Sequence, residues 1–241
     1  MRRFLLVLLG LLISPLTARA LEPADLLLVI AVDVSRSIDE DEARLQRVGY
    51  VQALTNPRVI DALQSGPQRR IAVAYIEWAG ENYQRVVVDW RAVGDKASAE
   101  AFVAELQRTD PVSASWTSIS GGIDFAVKLL ERSPYAAPRQ VIDVSGDGRN
   151  NHGRAASLAR DDAVAKGVTI NGLPIVNERA NFGRAAERDL DQYYEREVIG
   201  GPGAFVVLAV DFKSFGQAVL SKLIKEVAWT PADAIRLAAE R

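Results

Sequence analysis

The run Asp33-Val34-Ser35-Arg36-Ser37 sets one carboxylate and two hydroxyls at alternate positions. Such oxygens are hard ligands, suited to magnesium, manganese or calcium and poorly suited to metals that prefer nitrogen or sulfur. A plainer reading makes Ser35 and Ser37 caps for a following helix and Asp33 a turn residue. The elements around the run, and the other residues that reach the same place, decide between the two.

Residues 26–32 are an unbroken apolar run that stops at Asp33. That is the pattern of a central parallel strand covered on both faces. An acidic stretch follows, in which Ser37 or Asp39 can cap a helix running through Arg44, Leu45, Val48 and Val51. Asp33, Ser35 and Ser37 therefore fall at the carboxyl end of a strand and before a helix, where open α/β sheets bind ligands.

The rest of the chain repeats that alternation. Residues 71–76 and 85–90 predict two strands joined by Gly80-Glu81-Asn82, an antiparallel hairpin with one strand at the sheet edge. Residues 96–106 have helical spacing, and the polar loop from Ser113 to Thr117 leads into a helix with Ile119, Ile123, Ala126, Val127 and Leu130 on one face. Residues 141–145 predict a strand entering Gly146-Asp147-Gly148-Arg149-Asn150-Asn151. A helix at 155–166, a strand at 168–176, a polar stretch at 177–183, a helix at about 186–198, a strand at 204–210 and a helix at 215–227 follow. Thr230, Pro231 and Asp233 suit the N-cap, first and third positions of a short last helix. Strands alternating with helices predict an α/β fold: a doubly wound, mostly parallel central sheet, helices on both faces and one antiparallel edge strand. Its core would be built from Leu27, Val29, Ile71, Val73, Ile142, Val144 and similar residues.

Composition narrows the function. Arg2 and Arg3, an apolar stretch at 4–13 and Ala18-Arg19-Ala20 describe a signal peptide over residues 1–20. The expected organisation is then a domain at 21–229 and a helical tail at 230–241, in a periplasmic or secreted protein. Cleavage would lower the basic residues from 29 to 26 against 31 acidic ones, a formal charge of −5. That balance, without a long Lys/Arg block, argues against nucleic acid as a partner. No second segment is apolar enough to span a membrane. The absence of cysteine removes disulfides, thiolate nucleophiles and zinc–sulfur sites.

Three loops thus carry Asp33/Ser35/Ser37, Thr117 and Asp147 to strand ends or helix starts. In this order and spacing the chain resembles the von Willebrand factor type A domain superfamily, from about residue 25 to 229, and within it an exported bacterial branch. Its metal-ion-dependent adhesion site combines an Asp-x-Ser-x-Ser run after the first strand, a Thr in a later loop and an Asp in a Thr-Asp-Gly-like turn. The resemblance implies a divalent cation, commonly Mg2+, with Ca2+ and Mn2+ as alternatives. Ser35, Ser37 and Thr117 would be direct ligands, Asp33 and Asp147 would act through water, and an open position would take an Asp or Glu from a protein partner. Gly146 departs from the pattern, standing where the family often has Thr.

Several residues compete for attention. Asp143, inside an apolar strand, must be paired or hydrogen-bonded, because an isolated buried carboxylate costs several kcal/mol; it reads as a structural ion pair or an edge-exposed side chain ahead of a second metal ligand. His152, the sole histidine, reads as a surface residue or a helix-start contact, since no nucleophile motif accompanies it. Gly200-Gly201-Pro202-Gly203 precedes a strand and so reads as a turn, not a phosphate cradle. Trp116 adjoins Thr117, and Arg36 and Arg149 flank the motif as charges that could draw in an acidic segment. The leading expectation is a non-enzymatic, cation-dependent binding module. A metal-dependent hydrolase using the same oxygens to activate water, and a scaffold with a vestigial site, are the alternatives.

Overall fold

The computed structural model describes residues 20–176, 189–230 and 233. The elements follow in the order β1 (Glu22–Pro23), β2 (Leu27–Asp33), α1 (Glu40–Leu54), α2 (Pro57–Leu63), β3 (Ile71–Trp78), β4 (Gln84–Val93), α3 (Lys96–Leu106) and α4 (Ile119–Glu131). Then come β5 (Tyr135–Ala136), β6 (Gln140–Gly146), α5 (Ala156–Ala165), β7 (Thr169–Pro174), α6 (Leu190–Tyr193), a π-helical turn (Tyr194–Val198) and α7 (Phe215–Val227). The expected signal peptide, apart from Ala20, lies outside the described residues, as do the stretch at 177–183 and most of the tail after Thr230.

The five main strands lie in the order β4-β3-β2-β6-β7, with β4 antiparallel to β3 and the other pairs parallel. The α/β architecture and the antiparallel edge strand are as expected. Every residue of β2 is buried, because the strand is central and both its faces are covered. Leu28, Ile30 and Val32 pack with α1, α2, α3 and α7, while Leu27, Val29 and Ala31 pack with α4, α5 and the Leu190–Val198 segment. Strands β3 and β4 are laid down on one side of β2, and β6 and β7 on the other. The direction of winding therefore switches between β2 and β6, and a crevice opens at their carboxyl ends.

Of the readings open for Asp143, on β6, the structure bears out the ion pair. Lys222 Nζ, from α7, stands 2.6 Å from Asp143 Oδ1 and 2.5 Å from Glu226 Oε1, and all three residues are buried. Asn171 Nδ2 donates to the same Glu226 oxygen at 2.7 Å. Burial, then the charge of Glu226, push the Asp143 carboxyl up to about 7 against the pull of Lys222.

Two expectations need correction. Residues 204–210 form no continuous strand; they join β7 only through isolated bridges, Gly172 with Val206 and Ile175 with Ala209. Pro174 has no N–H to extend that ladder, and the Asn171 side chain takes Phe205 N at 3.1 Å. Within the helix expected to end at Val198, α6 is short and gives way to the wider turn, closed by Ile199 N donating to Tyr194 O at 2.9 Å. A small parallel pair, β1 with β5, was not foreseen. The glycine-rich segment is a turn, as expected: Gly201 adopts φ +92°, and a Cβ there would stand 2.9 Å from Thr169 Cα.

Candidate functional site

Asp33 closes β2 and turns its side chain back on its own loop, where Oδ1 accepts Ser35 N at 2.7 Å. Ser35 and Ser37 Oγ are 2.9 Å apart, and Ser37 Oγ donates to Asp147 Oδ1 at 2.6 Å, across 110 residues of sequence. Neither serine caps α1. That task falls to Asp39, whose carboxylate accepts Glu42 N at 2.8 Å while the Glu42 side chain accepts Asp39 N at 2.9 Å. The hydroxyls of Ser35 and Ser37 turn instead to each other and to Asp147.

Thr117 arrives on a loop pinned from several sides. Ala114 N donates to Val34 O at 3.0 Å, Ser118 N to Ala79 O at 2.7 Å, and Thr117 N to Asn151 Oδ1 at 2.9 Å. Asn151 N and His152 N both donate to Thr117 O, at 2.8 and 3.2 Å. Thr117 Oγ1 lies 3.8 Å from the point a Cβ on Gly148 would occupy, so the side chain faces the Asp147 loop. Deeper down, the buried Glu77 at the end of β3 pairs with Arg47 of α1 and, at 2.8 Å, with Arg85 of β4. Those arginines donate to Leu106 O at 3.1 Å and Asp110 O at 3.0 Å, which fixes the start of the same connection.

The Asp147 loop is held by the segment after β7. Tyr193 Oη accepts Asn150 N at 3.2 Å, and the Arg149 guanidinium lies 5.0 Å from the centre of the Tyr193 ring. Arg149 is thus seated on an aromatic face, unlike Arg36, which is exposed. His152 is a loop contact, its Nδ1 accepting Glu81 N at 3.0 Å while its ring stacks on Trp116 at 5.4 Å. Trp116 is 58% exposed and holds φ +70°, a left-handed conformation that costs a non-glycine residue about 1–3 kcal/mol.

Asp33, Ser35, Thr117 and Asp147 are buried and Ser37 half-buried. Burial, and next the charge of Asp147, raise the Asp33 carboxyl well above the usual carboxylate range, against hydrogen bonds from Ser35 and from the Asp147 backbone. Asp33 Oδ2 is buried without a hydrogen-bond partner. Two neighbouring carboxylates, an orphaned oxygen and three neutral hydroxyls form a donor set that fits a hard divalent cation. Among the described residues no cluster of three or more His, Cys, Asp or Glu side chains could hold a metal; the five residues here include only two carboxylates. Gly146 takes part by absence of a side chain, for a Cβ there would stand 2.9 Å from Asp33 Oδ2. Asn150, Asn151, Tyr193 and Glu77 escaped the sequence reading as site residues. Only the Asn pair following Asp147 carried a signal, as a residue type that stitches loops.

Residues 23–231 match the family described as "Protein of unknown function (DUF1194)". No curated protein matches the chain. Among solved structures it is similar to a von Willebrand factor type A protein from Catenulispora acidiphila, at 16% identity and TM-score 0.59, covering 85% of this chain and 43% of that one. It is similar also to the pilus adhesin SpaC of Lactobacillus rhamnosus GG in its open conformation, at 14% identity and TM-score 0.61, covering 85% and 30%. A third is proximal thread matrix protein 1 of the mussel byssus with a zinc-occupied MIDAS motif, at 15% identity and TM-score 0.53, covering 89% and 46%. The chain spans less than half the length of each. At these identities the likeness establishes the fold, that of a von Willebrand factor type A domain.

Proposed function

We propose that the chain, which belongs to the DUF1194 family, is a protein-binding module that works through a divalent cation held by Asp33, Ser35, Ser37, Thr117 and Asp147. The observation that carries this reading is the pairing of Asp33 and Asp147 at the winding switch, with Asp33 Oδ2 buried and lacking a partner. Ser35, Ser37 and Thr117 would contribute hydroxyls directly, and the two carboxylates would balance the double charge from the outer shell. When bound, the cation supplies a Lewis-acidic position for an Asp or Glu of a partner protein. Because the three hydroxyls are neutral, the ion is not over-neutralised; magnesium suits such a set best, with calcium and manganese next. The exposed Trp116, braced by His152 beside Thr117, offers the partner an aromatic contact at the rim.

The basic start, apolar run and Ala18-Arg19-Ala20 of residues 1–20 support a module that works outside the cytoplasm after their removal, with the domain at 21–229 and a tail at 230–241. N-terminal sequencing of the exported form tests this, and a start at Leu21 is expected. Within the tail, Thr230 N donates to Asp233 Oδ2 at 2.9 Å, a cap that supports the last helix. The functional test is isothermal titration calorimetry of the chain with magnesium, manganese and calcium, followed by pull-down with and without chelator. Saturable cation binding that Asp147→Ala abolishes, and a partner released by chelator, are expected. A chain that binds none of the three cations sinks the proposal.

A further inference from the structure

Beneath the proposed site, the Tyr194 hydroxyl and Asp33 Oδ2 are both buried and both lack a hydrogen-bond partner. They converge on one spot: a Cβ on Gly146 would stand 2.9 Å from Asp33 Oδ2 and 3.0 Å from Tyr194 Oη. A buried hydroxyl and a buried carboxylate oxygen left unpaired are both costly, so two that stand within 3.0 Å of the same point are complementary donor and acceptor. The ring itself is fully buried against the core of that sheet face. Tyr194 also opens the π-helical turn, a rare local structure that recurs at functional sites. Its predecessor Tyr193 grips Asn150 in the Asp147 loop, so two consecutive tyrosines reach the site, one at the loop and one from below.

From this juxtaposition we infer that Tyr194 is a positioning residue for the cation site: its hydroxyl is the donor available to Asp33 Oδ2 across the gap left by Gly146, and when that oxygen takes it the carboxylate is held toward the ion. The role rests on the cation reading proposed above. Gly146 is the other half of the device, because any side chain there would fill the space the phenol must cross.

The test compares the parent chain, Tyr194→Phe and Gly146→Ala by magnesium titration calorimetry, with melting of each in chelator as the control. Tyr194→Phe keeps the ring and removes one oxygen, so its melting in chelator should match the parent or exceed it. Its magnesium affinity should fall about 10- to 100-fold, the range found when partners of metal ligands are removed. Gly146→Ala, which closes the gap from the strand side, should lower the affinity in the same direction, and the double variant should be no weaker than the worse single one. Tyr194→Phe affinity within twofold of the parent overturns the role, as does a loss of melting temperature in chelator without loss of affinity. A parent that binds no divalent cation overturns the cation reading and this role together, which separates the two failures.

Discussion

Asp33 and Asp143 are both fully buried carboxylates on adjacent parallel strands, yet the chain treats them in opposite ways. Asp143 has a cation built in: Lys222 reaches it from α7 and is shared with Glu226. Beside Asp33 stands a second carboxylate, Asp147, together with hydroxyls and backbone N–H groups. One cluster is closed by its own charges and lies within the layers; the other opens at the end of the sheet and suits a charge from outside. A buried acid therefore indicates a ligand site only when its counter-charge is not supplied by a neighbouring element.

The largest expected effect attacks the closed cluster. Lys222→Met would leave Asp143 and Glu226 buried without their cation, and urea unfolding at pH 8 should show a loss of about 3–5 kcal/mol. A loss no larger than that of a surface substitution, about 0.5 kcal/mol, would erase the distinction between the two regions.

Next comes pH. The folded Asp143 carboxyl titrates at about 7 against an ordinary 3.8, so the native state holds the extra proton between those values. Stability is then full below about pH 4 and falls as pH rises through 7, by on the order of 2–4 kcal/mol. The raised Asp33 carboxyl acts with the same sign. The difference between the parent and Asp143→Asn isolates the Asp143 share, and urea unfolding from pH 5 to 8 should give a shallower slope in the variant. An unchanged slope would remove Asp143 as its source.

The open cluster should respond to cations instead. Magnesium at about 100 times its dissociation constant should stabilise the parent by about 2.7 kcal/mol. Asp33→Ala should lose that increment while unfolding in chelator about 1–3 kcal/mol below the parent, the cost of leaving Ser35 N without the Oδ1 that accepts it. Lys222→Met, though weakened, should keep the magnesium increment; losing it would mean that the two clusters are one system.

The smallest effect concerns approach. Arg36 is exposed on the loop between Ser35 and Ser37, so Arg36→Ala should slow association with a chelator-sensitive partner a few-fold and flatten its salt dependence, with little change in dissociation rate. Surface plasmon resonance at two salt concentrations measures both rates, and an altered dissociation rate alone would move Arg36 from steering into the contact itself.

Much of this arrangement was readable from residue types alone. The apolar run before Asp33 and the helical spacing at residues 96–106 and 215–227 gave their elements nearly to the residue, because strand burial and helix faces are set by local pattern. Asp33, Ser35 and Ser37 could be placed at a strand mouth for the same reason. The ends of elements were less legible: residues 204–210 look like a strand, but Pro174 and Asn171, on the strand they adjoin, break the ladder.

By itself, then, the sequence determined most of the main strands and helices, which side chains are hard oxygen donors, and that the carboxylate at position 143 stands in an apolar strand. Tertiary structure alone decided who its partner is, since Lys222 lies on a helix 79 residues away from Asp143 in numbering. It also decided that Ser37 meets Asp147, that Arg149 is taken up by Tyr193, and that Tyr194 and Gly146 meet under Asp33. Local patterns encode burial because water acts on each residue separately, whereas charge pairing and close approach depend on distances that only the packed layers define.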